Sequence, residues 1–179
     1  EAKFDFQKLQ RINPRGAEAY IGLARVAVKE NNLGIANEML ASAVNLDPNN
    51  AETYVRRASV RRLMGDHNGA VDDLILAISS DNKHPRAMQE LIDYGNTNYP
   101  ATMAGLSKAV SEAPQVGMFR YIRAVIAQAH YHYLAAINDY QTILDERLYN
   151  YHGIYASIAE CNYCLGNYAE ALDAVDRAL

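Results

Sequence analysis

"AYIGLARVAVKENNLGIANEMLASAVNLDPNN", residues 19–50, is echoed one period further along the chain. Tyr20 and Tyr54, Ala24 and Ala58, Ala36 and Ala70, Leu40 and Leu74, and Ala43 and Ala77 all stand 34 residues apart. Five matches in one register define a repeat. Within each unit a small residue on a first helix is followed twelve residues later by an alanine on a second: Ala24 and Ala36, Ala58 and Ala70, Ala124 and Ala136, Ala159 and Ala171. Four and seven residues beyond the second alanine come a large and then a mostly small apolar residue, as in Leu40 and Ala43, Leu74 and Ala77, Tyr140 and Ile143, and Val175 and Ala178. Steps of four and seven return to the same face of a helix.

Polar turns separate the paired helices at Asn31-Asn32, Gly65-Asp66 and Gly166-Asn167. Stop signals separate the pairs at Asn13-Pro14, Asp47-Pro48-Asn49-Asn50 and Ala113-Pro114. Small residues where two helices cross let the backbones approach, and the large residues beside them fill the neighbouring groove. One such hairpin cannot bury its apolar face alone, so the units must stack.

These segments, with "NYAEALDAVDRAL" at 167–179, resemble the tetratricopeptide repeat family. The resemblance implies an all-α, right-handed superhelical solenoid of antiparallel helix hairpins. The repeats depart from the family pattern in places. There is no tryptophan, and the aromatic at the head of the first helix is Tyr20, Tyr54 and Tyr155; the closing proline is replaced by Asn82 and Leu148. The expected organisation is one solenoid over residues 1–179. It has the second helix of a truncated repeat at 1–14, repeats at 17–50, 51–84 and 117–150, and a shortened, irregular repeat at 85–116. A last repeat at 152–179 is cut before its end. In the irregular repeat Tyr99-Pro100 is expected at the turn, with Leu106 and Ala109 in the second-helix places. Ala2, Phe6 and Leu9 follow the second-helix pattern with no first helix before them, and the chain stops inside a second helix. It therefore reads as a fragment whose uncapped ends would offer surfaces for end-to-end self-association.

Composition limits the function classes. The 179 residues are 50% hydrophobic and 21% charged, with a net charge of −4, so no global positive field draws the chain to nucleic acid or to an anionic membrane. No apolar run reaches the roughly 18 residues of a membrane span, and the first ten residues lack the order of a signal peptide. The compartment is left open between cytoplasmic and exported. Cys161 and Cys164 have redox spacing but sit mid-helix with no strand before them, which favours packing. His130 and His132 lie near a hairpin turn without further ligands for a closed metal site. No phosphate loop and no catalytic motif occurs, so neither enzyme activity nor a cofactor is expected.

Residues 56–62 carry four arginines, Arg56, Arg57, Arg61 and Arg62. Arg57 falls on the face turned toward the second helix, where an unpaired arginine would be costly. Asp73 stands sixteen residues later, and Arg123 is followed at the same spacing by Asp139. In the first unit these two places hold Leu23 and Met39, and in the last Ile158 and Ala174. Charge is exchanged as a pair, so both couples are expected to be structural ion pairs bridging two helices. Arg61 is expected either to share Asp72 or Asp73 or to reach outward.

The first-helix side chains that point away from the hairpin partner line the groove of such a solenoid. They include Ile21, Arg25, Val28 and Lys29, then Val55, Ser59, Arg62 and Leu63, then Gln89, Asp93, Asn96 and Thr97. The later units supply Tyr121, Val125 and Gln128, and then Glu160, Tyr163 and Cys164. The candidate peptide groove is thus Arg25, Lys29, Arg62, Gln89, Asp93, Asn96, Tyr121, Val125, Glu160 and Tyr163, basic at one end and aromatic with one carboxylate at the other; Arg25, Lys29 and Arg62 read either as a receiver for an acidic peptide or as a solvated mixed-charge face. The expected function is a protein-interaction scaffold holding a peptide or partner helix, as the resemblance implies. The alternative is a regulatory or assembly domain of a larger enzyme or complex. A helical-repeat nucleic-acid binder is disfavoured by the charge. The family's carboxylate-clamp members use lysine and asparagine where this chain has Ile21, Arg25 and Val55, so their ligand is not carried over.

Overall fold

The structure, a computed structural model, describes residues 2–149 and 153–179, with only the backbone of Ala2 and Lys3. Glu1 and the repeat bounds expected at 150 and 152 lie outside the described residues. Among those described there are eleven helices and no strand: α1 (Ala2–Ile12), α2 (Ala17–Lys29), α3 (Leu33–Leu46), α4 (Ala51–Leu63), α5 (His67–Ser80), α6 (Pro85–Thr97), α7 (Tyr99–Glu112), α8 (Gly117–Ala129), α9 (Tyr133–Asp145), α10 (Ile154–Cys164) and α11 (Tyr168–Ala178). They form two compact units, residues 1–91 and 92–179.

The turns follow from local chemistry. Four hairpins close through three residues, and the middle one of these adopts a left-handed φ: Asn31 (59°), Gly65 (78°), Tyr131 (64°) and Gly166 (79°). Glycine and asparagine enter this region at low cost, whereas a bulky side chain does not. Between α6 and α7 only Asn98 remains, so the irregular repeat loses its two residues from the turn while both helices keep full length. Tyr99-Pro100, expected at that turn, instead opens α7, because proline is tolerated in a first helical turn where its missing N–H has no partner to lose. Helix starts are capped by side chains: Asn50 Oδ1 accepts from Thr53 N at 3.2 Å, and Asp66 Oδ1 from Gly69 N at 3.0 Å.

In the first unit Ala24, Ala27, Ala36 and Leu40 of the α2–α3 hairpin pack with Val60 of α4. Val55, Val71, Leu74 and Ile78 fill the α4–α5 hairpin. In the second unit Ala124, Ala136, Tyr140, Ile143, Ile158, Cys161 and Ala174 form one cluster over α8 to α11. The paired alanines of the sequence pattern are the crossing points: Ala24 and Ala36, like Ala124 and Ala136, are buried, and their size lets two backbones come together.

Candidate functional site

The arginines divide by depth. Arg57 Nε and Nη2 donate to the two Asp73 oxygens at 2.9 and 2.6 Å, and Asp73 is 0% exposed. Arg61 Nη1 adds a contact to Asp73 Oδ2 at 3.1 Å and donates to the Gly69 carbonyl at 2.9 Å. Of the two expected aspartates Asp73, not Asp72, is therefore its partner, and Arg61 Nε also lies 3.6 Å from Asp66 Oδ2. In the second unit Arg123 Nε and Nη2 each reach Asp139 at 2.7 Å, and Arg120 stands 3.5 Å from the same carboxylate. Each couple is centred on the left-handed turn residue, Gly65 or Tyr131, which is the register of an antiparallel hairpin. Burial lifts the Asp73 carboxyl above its ordinary 3.8, outweighing the hydrogen bond and charge of Arg57 and the charge of Arg61. Its charge depends on those guanidiniums. Conversely, the bond to Asp139 raises the Arg123 guanidinium further. Each couple bridges the two helices of its own hairpin.

A cleft of about 300 Å³ opens in the first unit between α2 and α4. Ile21, Val28, Val60 and Leu63 give it an apolar lining, and Arg25, Lys29, Arg56 and Arg86 stand in it with no carboxylate among the lining residues. The four cations are not equivalent. Arg56 Nη2 meets Glu52 Oε1 at 2.7 Å, and Arg86 reaches Glu52 at 2.9 Å and Glu90 at 2.8 Å, so this wall is neutralised from behind. Arg25 and Lys29 are exposed and have no ion-pair partner among the described residues. The cleft therefore has one neutralised wall and one wall of uncompensated positive charge. Sequence reasoning placed Arg25 and Lys29 here but passed over Arg56 and Arg86. The signal was present, since Glu52 and Arg86 are opposite charges one repeat apart. Val55, read as a groove residue, is 0% exposed and belongs to the core, because α4 is covered on more sides than a single hairpin wheel assumes. Arg62 and Gln89 are exposed outside this lining.

The remaining candidates lie in the second unit. Asp93 and Asn96 are exposed on the last turns of α6. Tyr121 and Val125 are half-buried on α8, with the Tyr121 ring 6.3 Å from Tyr140 and 5.9 Å from Tyr149. Glu160 and Tyr163 are exposed on α10. Gln128 Nε2 donates to Glu160 Oε2 at 2.9 Å, and the hydroxyl of buried Tyr140 donates to Gln128 Oε1 at 3.1 Å. Tyr163 stacks edge-on with Tyr168 at 5.6 Å.

Cys161 is buried and Cys164 exposed, and both are free thiols. Burial, with Glu160 and Cys164 nearby, pushes the Cys161 thiol up to about 11. Tyr99 gathers the two turn histidines, its hydroxyl 2.8 Å from His132 Nδ1 and its ring 4.4 Å from that of His130. Among the described residues no group of histidine, cysteine and carboxylate side chains has a metal-binding arrangement, and no helix is long and apolar enough to cross a membrane.

Stacked hairpins with alanine crossings, three-residue left-handed turns and first-helix clefts define a chain of the tetratricopeptide-repeat fold. It is 36% identical over 67 residues to tetratricopeptide repeat protein 36 of Bos taurus, a match covering 37% of this chain and only 36% of that relative's length. Among solved structures it is similar to the MamA protein, with a TM-score of 0.53 and 19% identity over 91% of this chain and 90% of that one. It is also similar to YrrB, described as a tetratricopeptide-repeat protein with an unusual peptide-binding site, with a TM-score of 0.52 and 17% identity over 97% and 90% of the two chains. At these identities the structural likeness is one of fold. No family model matches the chain.

Proposed function

We propose that this chain is a protein-interaction scaffold whose α2–α4 cleft receives an extended segment carrying aliphatic and acidic side chains. The observation that carries the reading is the lining of that cleft, with apolar walls, Arg25 and Lys29 uncompensated, and no carboxylate. An aliphatic side chain fits within the apolar space, and a neighbouring carboxylate reaches the two cations. Clefts of this kind take orientation and selectivity from a few charged groups around an apolar centre. The fold shared with YrrB is consistent with peptide capture, without assigning that protein's ligand to this one.

A fluorescein-labelled peptide of alternating glutamate and leucine, set against its glutamine–leucine counterpart, tests the reading. The acidic peptide should bind and the neutral one bind at least about tenfold more weakly. Arg25→Glu with Lys29→Glu should slow association and flatten its salt dependence, because accessible charges steer encounter. Arg62→Glu, outside the lining, should have the smaller effect. Equal binding of both peptides, or unchanged binding in the double variant after circular dichroism has shown it folded, would remove the cleft from the function.

A further inference from the structure

We propose that Glu160, with Tyr163 on the same face of α10 and Tyr168 against the Tyr163 ring, is a receptor for an arginine side chain of a protein partner. The site lies in the second unit, is opposite in charge to the α2–α4 cleft, and stands independently of it. Glu160 is exposed and has no cationic partner among the described residues, yet its carboxylate is oriented. Gln128 Nε2 holds Oε2 at 2.9 Å, and Gln128 is itself held by the hydroxyl of buried Tyr140. Order is thus passed from the core to a surface charge, which lowers the entropy a ligand must supply on binding. Among the described residues Oε1 accepts no hydrogen bond and is left for an incoming donor.

The aromatic part follows from helical spacing. Tyr163 is three residues after Glu160 on α10, so the two share a face. The Tyr163 and Tyr168 rings are 5.6 Å apart at 62°, and they are 67% and 66% exposed. A guanidinium within about 6 Å of such a ring face is attracted by its quadrupole, and its planar donors also match a carboxylate. The surrounding charge has the same sense. Residues 154–179 hold four acidic side chains against one basic, and that one, Arg177, is paired with Asp173 at 3.0 Å. Nothing in this hairpin competes for Glu160, and the local field favours a cation.

Acetyl-Ala-Arg-Ala amide and its citrulline counterpart, a neutral near-isostere, are titrated into the intact chain while the tyrosine ring resonances are followed by NMR. The arginine peptide should shift Tyr163 and Tyr168 and saturate, and the citrulline peptide should bind about tenfold more weakly. Glu160→Gln, which retains an acceptor for Gln128, should weaken the arginine peptide at least about fivefold, and Gln128→Ala should weaken it by releasing the carboxylate. Tyr163→Leu supplies a variant that leaves the Gln128 hydrogen bonds in place and should also weaken binding. Equal binding of the two peptides, unchanged affinity in Glu160→Gln and Tyr163→Leu, or the Tyr163 and Tyr168 rings unmoved at saturating arginine peptide would overturn the assignment.

Discussion

Arg57 and Asp73 occupy the places that Leu23 and Met39 fill one hairpin earlier, so the same backbone accepts either a charged or an apolar pair. What it does not accept is half of one. Asp73→Met leaves the Arg57 guanidinium turned toward an apolar partner and takes the nearer carboxylate from Arg61, and should cost about 3–5 kcal/mol in chemical denaturation. Arg57→Leu should cost less, because Arg61 still holds the carboxylate at 3.1 Å. Combining them should recover part of the loss, since Arg61 is still without Asp73, with a coupling of about 0.5–3 kcal/mol; strictly additive effects would show that the residues do not act as a unit. The cysteines differ in the same way, by environment. With its thiol pushed up to about 11 and its sulfur buried, Cys161 is protonated across the neutral range, so iodoacetamide should modify exposed Cys164 first. Mass spectrometry of a short time course reads the order, and equal labelling would mean that α10 opens readily.

Among the elements, the hairpin turns show where backbone geometry sets the residue type. Tyr131 holds φ 64° where other turns use asparagine or glycine, and at 79% exposure it gains little burial in return. Tyr131→Asn should therefore raise stability by up to about 1 kcal/mol, read as a higher Tm; a fall would mean that the Tyr131–Tyr133 edge contact at 6.2 Å outweighs the conformational cost. Gly117 makes the opposite point. A Cβ there would lie 2.7 Å from the Leu148 Cβ and 2.8 Å from its carbonyl carbon, so the start of α8 could not stay where it is. Gly117→Ala should destabilise by about 1–3 kcal/mol, the usual scale of overpacking, and a Tm equal to the wild type's would show that the segment around Leu148 yields. Helix periodicity was readable in the sequence because buried faces recur every three or four residues. The placement of the two missing residues between α6 and α7 was not, since shortening a helix and shortening a turn leave the same count.

For the molecule as a whole, charge is distributed unequally. Residues 1–91 carry twelve acidic and twelve basic side chains, and residues 92–179 nine and five. With Arg25 and Lys29 the uncompensated cations of the α2–α4 cleft, few phosphates could be neutralised together, and single-stranded RNA of about 20 nucleotides should not bind at physiological salt. A steeply salt-dependent fluorescence shift would reverse that expectation. The all-helical repeat, its alanine crossings and the Arg57–Asp73 and Arg123–Asp139 couples were determined by the sequence itself, because each depends on spacing along one hairpin, where helix geometry converts residue number directly into position. The cleft with Arg56 and Arg86, the burial of Val55, and the line from Tyr140 through Gln128 to Glu160 were decided only by tertiary structure. They join side chains of different hairpins, and which of those meet depends on how far one hairpin is displaced against the next, a quantity set by the packing of whole faces and carried by no single residue.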